Sequence, residues 1–263
     1  MSIDFVEHDE YMAKTKKGSI TIKKLCIENK REIEEAIVLH EKVSITKDNY
    51  KKFIGISEYD DFYGFGGKYN PLSYTDIEDL IKNPNAIVLA AFSKTPTYHC
   101  CGVVWVKKDD DYFFEKDSFR FKPEYAGVRN LFEKHVTKGD IVVGPDTAHI
   151  APVDFPEIAI ALNYAMISYC LSRGITASAY ELYKNISCAD AEGIHYLDTF
   201  DYNAYNAYKI MGYDHVGYMK NKDFSINDEI TITTEPQIIA GLDFKVQAQI
   251  LEKLLEKNEV QFL

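Results

Sequence analysis

Residues 158–173 are apolar on nearly all sides, and this feature constrains the fold more than any other in the sequence. The pattern predicts a helix without a polar face, so the rest of the chain has to enclose it. Gly174 follows at the position where a left-handed residue commonly ends a helix. The stretches 148–153 and 175–180 on either side predict strands. The order strand, buried helix, strand is typical of an α/β sheet protein.

Further elements lie on both sides of this unit. Apolar and polar residues alternate over residues 19–27, and the apolar runs 86–92 and 100–106 predict two buried strands. After the central unit, the sequence predicts a strand at 229–234 and a helix at 244–257. The predicted stripe of the last helix consists of Val246, Ile250, Leu251, Leu254 and Leu255. We expect this stripe to pack against the body of the protein.

The length of 263 residues is enough for one large domain with a substantial core. We divide the chain into a polar N-terminal tail (1–18), a main domain (19–221) and a C-terminal extension (222–263). A long polar excursion, residues 107–145, interrupts the main domain as an insertion. We expect the extension to pack on the main domain as a strand followed by a helix.

Composition and charge exclude several classes of protein. Hydrophobic residues make up 46% of the chain and charged residues 27%, as in ordinary globular proteins. The longest strongly apolar run, residues 158–166, is too short to span a bilayer, and the N-terminus lacks the pattern of a signal peptide. A formal charge of −11 disfavours binding to nucleic acid, which needs a basic face. The sequence therefore predicts a cytoplasmic protein without nucleic-acid or membrane partners.

The cysteines argue against both a disulfide framework and a metal site. They form an odd set without C-x-x-C spacing, namely Cys26, Cys100, Cys101, Cys170 and Cys188. Cys100 and Cys101 are neighbours in a predicted strand, so their side chains should point to opposite faces of the sheet. We expect the cysteines to be small buried hydrophobic residues, and we expect no bound metal.

The region between residues 86 and 218 closes on Tyr208-Lys209-Ile210-Met211-Gly212-Tyr213. This ending and the order of elements before it resemble the acyl-CoA-binding half of the GNAT superfamily of N-acetyltransferases, which ends on Tyr-x-Lys-x-Gly-Phe. Lys209 stands one place earlier than the family's lysine. The resemblance implies a mixed, strongly twisted α/β sheet that is flanked by helices and splays near its centre to admit the cofactor.

In the GNAT superfamily, the strand before the buried helix and the turn after that strand bind acetyl-CoA or another acyl-CoA. The free backbone N–H groups at the helix start hold the pyrophosphate there, helped by the helix dipole. Counting back from Gly174 places the family's three motif positions on Asp154, Glu157 and Ala159, and only Ala159 fits. The cofactor-binding residues that the resemblance implies are Ala151, Val153, Ile158, Ala159 and Ile160.

The residues that replace the motif predict a different helix start. Asp154 reads as an N-cap, Pro156 as a first-turn residue and Glu157 as the acid of a capping box. Two like charges about 4 Å apart repel by roughly 4 kcal/mol at an effective dielectric constant of 20. Such a repulsion would weaken coenzyme A binding about a thousandfold. Either the two acidic side chains turn away, or coenzyme A does not bind in the family's usual way.

Three residues are candidates for acid–base catalysis. The resemblance implies that the phenol of Tyr208 protonates the leaving thiolate of coenzyme A. Acylation of an amine also needs a base for the ammonium proton. His149, on the strand before the turn, is the first candidate because the pKa of histidine lies near neutrality. Glu181, at the end of the next strand, is the second.

Three functions remain open at this point. The first is an acyltransferase that moves an acetyl or other acyl group directly from acyl-CoA to an amine of a small molecule or protein. Residues 62–69 and 107–145 would then wall the substrate cleft. The second is a binding or scaffold protein that has lost coenzyme A binding. The third is an enzyme similar to N-acyl amino acid or acyl-lactone synthases, with a long acyl donor. A homodimer is compatible with the apolar stripe of the last helix.

Overall fold

The computed structural model describes residues 10–16, 18–43, 73–93, 99–108, 120–127, 129–131, 134, 138, 140–144, 149–150, 156–190, 193–197, 208–218, 222–226 and 230–263. The helices are α1 (Lys30–Val43), α2 (Tyr74–Lys82), α3 (Pro156–Ser172) and α4 (Phe244–Lys257). The strands are β1 (Glu10–Thr15), β2 (Gly18–Lys24), β3 (Ala86–Ser93), β4 (His99–Lys108), β5 (Arg120–Phe121), β6 (Ile141–Gly144), β7 (His149–Ile150), β8 (Ala177–Asp190), β9 (Gly193–Leu197), β10 (Asp214–Tyr218), β11 (Lys222–Ile226), β12 (Ile230–Gly241) and β13 (Gln261–Phe262). Residues 62–69, which were expected to wall the substrate cleft, lie outside the described residues.

Backbone hydrogen bonds join these strands into one mixed sheet. Its main order is β13-β1-β2-β3-β4-β6-β8-β12-β10-β5, while β7 pairs with β4, β9 with β8 and β11 with β12. The ladder between β6 and β8 is parallel, and the other described ladders are antiparallel. The predicted fold class, a mixed α/β sheet flanked by helices, is confirmed.

The parallel ladder is short, and the sheet divides where it ends. Its four pairs run from Ile141 opposite Ala177 to Gly144 opposite Tyr180. Beyond Gly144 the chain stays with β4, because His149 of β7 lies opposite Val103. Strand β8 instead continues along β12 and then pairs with β9. Within the described part of the chain, no ladder joins β7 to β8, and we call this unpaired region between the two strands the opening.

The helices cover both faces of the sheet. Helices α1 and α2 pack on one face together with Cys100, Val103 and Trp105. Helices α3 and α4 pack on the other face in a cluster that includes Cys101 and Val104. Cys100 and Cys101 therefore point to opposite faces, as the alternation of a strand predicts. Cys26, Cys100, Cys101 and Cys170 are free thiols, and the last three are buried.

Helix α3 is the central element of the larger core. It covers the predicted helix within two residues at its start and one at its end, and its apolar residues are buried on several sides. Gly174 ends the helix with a φ of +74°. Ile175 N–H donates to the Cys170 carbonyl at 2.9 Å, and Gly174 N–H donates to the Leu171 carbonyl at 3.1 Å. This is a Schellman motif, and the predicted C-cap is confirmed.

Two segments placed outside the core of the main domain contribute strands to the sheet. Part of the polar tail, Glu10–Thr15, forms strand β1 between β2 and β13, because Ala13 and Thr15 alternate toward the interior. The excursion 107–145 was predicted to be an insertion, but Ile141–Gly144 at its end is strand β6 in the centre of the sheet. The apolar residues Ile141 and Val142 are both buried there.

The C-terminal extension adds helix α4 and, within the described residues, three strands, β11, β12 and β13, of which β12 is not peripheral. Strand β12 lies between β8 and β10 and pairs with both. Helix α4 has the predicted bounds and packs on α3, where the Tyr164 hydroxyl donates to Oε1 of Glu252 at 2.8 Å. The predicted stripe is wrong at Val246, which is 51% exposed. The buried face of α4 consists of Phe244, Gln247, Leu251 and Leu255.

Candidate active site

The opening between β7 and β8 begins beside a buried group of tyrosines. Tyr180 occupies the last pair of the parallel ladder. Its ring centroid lies 5.5 Å from that of Tyr213 and 6.4 Å from that of Tyr208. Tyr208 and Tyr213 meet edge to face, with centroids 5.1 Å apart. The structure therefore places the predicted acid Tyr208 against the residue at which the sheet divides.

Local backbone geometry holds Tyr208 and Tyr213 in this arrangement. Gly212 has a φ of +87°, which glycine adopts without steric cost. Tyr213 N–H donates to the Tyr208 carbonyl at 3.0 Å, and Gly212 N–H donates to the Lys209 carbonyl at 3.1 Å. A side chain at Gly212 would also meet Cδ1 of Ile250 at 2.7 Å. The glycine of the Gly212-Tyr213 ending is therefore needed both for its backbone conformation and for contact with α4.

Burial determines the protonation state of these tyrosines. Tyr180, Tyr208 and Tyr213 have less than a tenth of their surface exposed. Loss of solvation raises the pKa of each phenol above the ordinary value, and the neighbouring phenols raise the pKa of Tyr180 and Tyr208 further. Each phenol is therefore neutral and carries its proton at physiological pH. A protonated phenol is the form that a general acid requires.

Asn163 connects the tyrosine group to α3. The Tyr213 hydroxyl donates to Oδ1 of Asn163 at 3.2 Å, while Nδ2 of Asn163 donates to the Ala159 carbonyl at 3.0 Å. The Tyr180 hydroxyl contacts Sδ of Met166 at 3.8 Å. Sequence reasoning did not assign a role to Asn163, Tyr180 or Tyr213. A signal for Asn163 was present, because a buried polar residue needs a partner and this one interrupts the apolar helix.

The start of α3 fits the predicted pyrophosphate site only in part. Ile158 and Ile160 direct their side chains into the core, so only their backbone could contact a ligand. In a helix that begins at Pro156, the N–H of Ile160 bonds to the Pro156 carbonyl and is not free. Pro156 itself has no N–H. The free donors among residues 156–160 are thus the amides of Glu157 and Ile158.

Glu157 differs from its predicted role. It is the second helical residue, one position earlier than the acid of a capping box. The residue is 7% exposed, and its Oε2 atom has no hydrogen-bond partner among the described residues. A buried carboxylate oxygen without a donor is costly and repels anions. Glu157 therefore opposes a pyrophosphate at this helix start, whereas Ala159 would leave space for one.

Two other predicted site residues, His149 and Glu181, are placed by their backbones. His149 lies on β7 and Glu181 follows Tyr180 on β8, so their backbones border the opening from opposite sides. Their side chains are not described. Ala151, Val153 and Asp154 lie outside the described residues. The roles of His149 and Glu181 as bases thus stay predictions.

Two further properties concern the described part of the chain. No group of three or more His, Cys, Asp or Glu side chains in it is arranged to hold a metal ion. Among the helices formed by these residues, none has the length and apolar character needed to cross a membrane.

No protein-family model matches the sequence, and no curated protein matches it either. Several solved structures are similar to the chain. The ribosomal-protein-S18-alanine N-acetyltransferase from Escherichia coli shares 10% identity, with a TM-score of 0.45 over 84% of this chain and 92% of that chain. The GNAT domain of S. lividans PAT shares 13% identity, with a TM-score of 0.45 over 89% and 99%. The aminoglycoside 6'-N-acetyltransferase from Enterococcus faecium shares 13% identity, with a TM-score of 0.45 over 84% and 95%.

Proposed function

We propose that this protein is a divergent acyltransferase that accepts an acyl-CoA in the opening between β7 and β8. The observation that carries the proposal is the division of the sheet beyond Gly144 and Tyr180, where β7 follows β4 and β8 follows β12. A thioester that enters between the two strands would reach the tyrosine group. The acceptor would be the amine of a small molecule or peptide, as the net charge of −11 favours a cationic partner.

In this proposal the residues around the opening divide the proton transfers between them. The amine nitrogen attacks the thioester carbonyl carbon, and the carbon–sulfur bond breaks as the new amide forms. Tyr208 donates its phenolic proton to the departing sulfur, which its protonated state and its position against Tyr180 support. His149 or Glu181 takes the proton that the amine loses.

A second candidate function is a binding protein that has kept the fold without the cofactor. The observations in its favour are Pro156, which removes a donor from the helix start, and the buried carboxylate of Glu157. A phosphate at this position would meet a negative charge instead of a full set of N–H donors. The two candidates differ in whether coenzyme A binds at all.

Calorimetric titration with acetyl-CoA, free coenzyme A and ATP separates the candidates. The acyltransferase proposal expects both coenzyme A species to bind and ATP not to bind. Saturation at a hundred times the dissociation constant should also stabilise the fold by about 2.7 kcal/mol. Absence of binding at millimolar acetyl-CoA would refute the acyltransferase and favour the binding protein.

The role of Tyr208 needs a matched pair of variants. Tyr208→Phe should leave acetyl-CoA affinity unchanged but slow the release of free thiol, measured with a panel of amines, by roughly a hundredfold or more. Tyr218→Phe is the control, because Tyr218 is an exposed tyrosine on β10. Equal rates for the two variants would remove Tyr208 from the mechanism.

A further inference from the structure

A cavity of about 160 Å³ lies toward the other end of the parallel ladder from the opening. Its walls come from the turn before β3, the end of β4, strand β6 and the C-terminal end of α3. Val142, one of its lining residues, occupies the second pair of the ladder, two residues before Gly144. At about 3.3 Å per residue, the cavity is roughly 7 Å from the point where the sheet divides. It shares no lining residue with the candidate active site, although Cys170 in its floor contacts Met166, which in turn contacts the Tyr180 hydroxyl.

The floor of this cavity is apolar. Val106, Val142 and Cys170 line it and are buried, and Ile175 adds a partly buried side chain. Burial raises the pKa of the Cys170 thiol, so this sulfur is uncharged and contributes an apolar surface. An apolar cavity of roughly 150 Å³ is large enough to hold a benzene ring. The floor therefore suits a compact hydrocarbon group.

The charged groups of the cavity are both cationic. Lys108 lies at the end of β4 and Arg173 just after α3, and none of the described lining residues is acidic. The Arg173 guanidinium lies 4.9 Å from the ring centroid of Tyr169, one helical turn earlier. Neither cation forms an ion pair with any described residue.

We propose that this cavity binds a small organic acid. The hydrocarbon body would rest on the floor formed by Val106, Val142 and Cys170, and the carboxylate would lie between Lys108 and Arg173. Arginine suits this task because its planar group can hold a carboxylate with two hydrogen bonds while it stacks on an aromatic ring. The proposal does not depend on the acyltransferase activity, since no residue of the cavity belongs to the opening.

Titration of the whole protein with benzoate, in a buffer free of carboxylate and phosphate, tests the proposal. Benzyl alcohol has a similar shape without the charge, and benzylamine reverses the charge. We expect benzoate to bind about tenfold more tightly than the alcohol, and benzylamine not to bind. Inorganic phosphate should bind more weakly than benzoate, because it lacks the hydrocarbon body. Equal affinity for benzoate and benzyl alcohol would overturn the proposal.

Variants locate the site. Arg173→Gln and Lys108→Gln should each weaken benzoate binding about threefold to tenfold, whereas Lys253→Gln, on the exposed face of α4, should not. Arg173→Lys keeps the positive charge, and comparison with it shows whether Arg173→Gln weakens binding only through a loss of folding. Benzoate that binds equally to all four variants, or that acetyl-CoA displaces competitively, would lie elsewhere and would disprove the site.

Discussion

The Tyr213 hydroxyl donates a hydrogen bond of 3.2 Å to Oδ1 of Asn163, and both side chains are buried. Asn163 uses its other end to donate to the Ala159 carbonyl at 3.0 Å, one turn earlier in α3. This bond therefore links the segment that carries Tyr208 to the helix that begins beside the opening. A change at either partner should alter both stability and the position of Tyr208.

Removal of the Tyr213 hydroxyl should destabilise the protein. Tyr213→Phe leaves Oδ1 of Asn163 buried without a donor, and we expect a loss of about 1–3 kcal/mol in the free energy of unfolding. Urea denaturation of Tyr213→Phe, Asn163→Leu and the double variant measures the effect. The double variant should lose less than the sum of the two single variants, because it leaves no orphaned group. Strict additivity would show that the bond contributes nothing.

Alkaline pH should destabilise this protein more than it would destabilise a protein whose tyrosines are all exposed. Tyr180, Tyr208 and Tyr213 have a pKa raised by burial, so the folded state keeps protons that the unfolded state releases near pH 10. Their contribution to stability is complete below pH 10 and declines as pH rises toward the folded values. In that window, each of the three phenols should lower the free energy of unfolding by up to about 1.4 kcal/mol per pH unit.

Urea midpoints between pH 8 and pH 11 measure this dependence. Tyr213→Phe provides the comparison, since its stability should fall less steeply above pH 10 by the contribution of one phenol. A curve that stays flat up to pH 11 would mean that these phenols ionise equally well in the folded and unfolded states.

Gly241 should not tolerate a side chain. A Cβ atom there would collide with Oε1 of Gln247 and would lie 2.9 Å from Oγ of Ser178, and both of these oxygens are buried. We expect Gly241→Ala to lower the free energy of unfolding by about 1–3 kcal/mol. Gly127→Ala is the matched control, because a Cβ atom at Gly127 meets nothing within 4 Å. Equal thermal unfolding of the two variants would contradict the prediction.

Glu259→Gly should stabilise the protein. Glu259 ends α4 with a φ of +58°, and Val260 N–H donates to the Leu255 carbonyl at 2.9 Å, so a glutamate occupies the usual glycine position of a Schellman motif. Relief of this strain should add about 1 kcal/mol. Glu259→Ala removes the same exposed ion pair to Lys16 without relieving the backbone strain. If Glu259→Ala raised the melting temperature as much as Glu259→Gly, backbone strain would be excluded as the cause.

Neutralisation of Glu157 should reveal whether a pyrophosphate approaches α3. If acyl-CoA binds as we propose, Glu157→Gln removes a buried negative charge near the phosphates and should raise coenzyme A affinity about tenfold or more. Glu256→Gln, on the exposed end of α4, should leave the affinity unchanged. Calorimetric titration compares the two variants. An unchanged affinity in Glu157→Gln would mean that the phosphates bind away from this helix start.

Local chemistry explains why some features could be predicted from the sequence. Gly174 and Gly212 both adopt positive φ, and each closes a helical segment through its own neighbours. Helix α4 begins at the predicted residue because Asp243 caps its N-terminus, where Oδ1 of Asp243 accepts from Lys245 N–H at 2.8 Å and from Val246 N–H at 3.3 Å. These interactions span a few residues, so a sequence pattern contains them.

Long-range pairing could not be predicted in the same way. The insertion of β12 between β8 and β10 depends on which strand edges meet, and periodicity does not encode partners. The contact of Tyr180 with Tyr208 and Tyr213 likewise brings together segments that are distant in the chain. The sequence identified Tyr208 only through a family resemblance, and it carried no sign that Tyr213 would bond to Asn163.

The four-pair ladder between β6 and β8 has a consequence for cooperativity. So few backbone bonds would not by themselves make the two halves of the sheet unfold together. Helix α3 contacts β2, β3 and β4 on one side of the division, while its Met166 contacts Tyr180 on the other. The helix therefore couples the halves into one folding unit, and hydrogen exchange of the amides in both halves should report a single global opening.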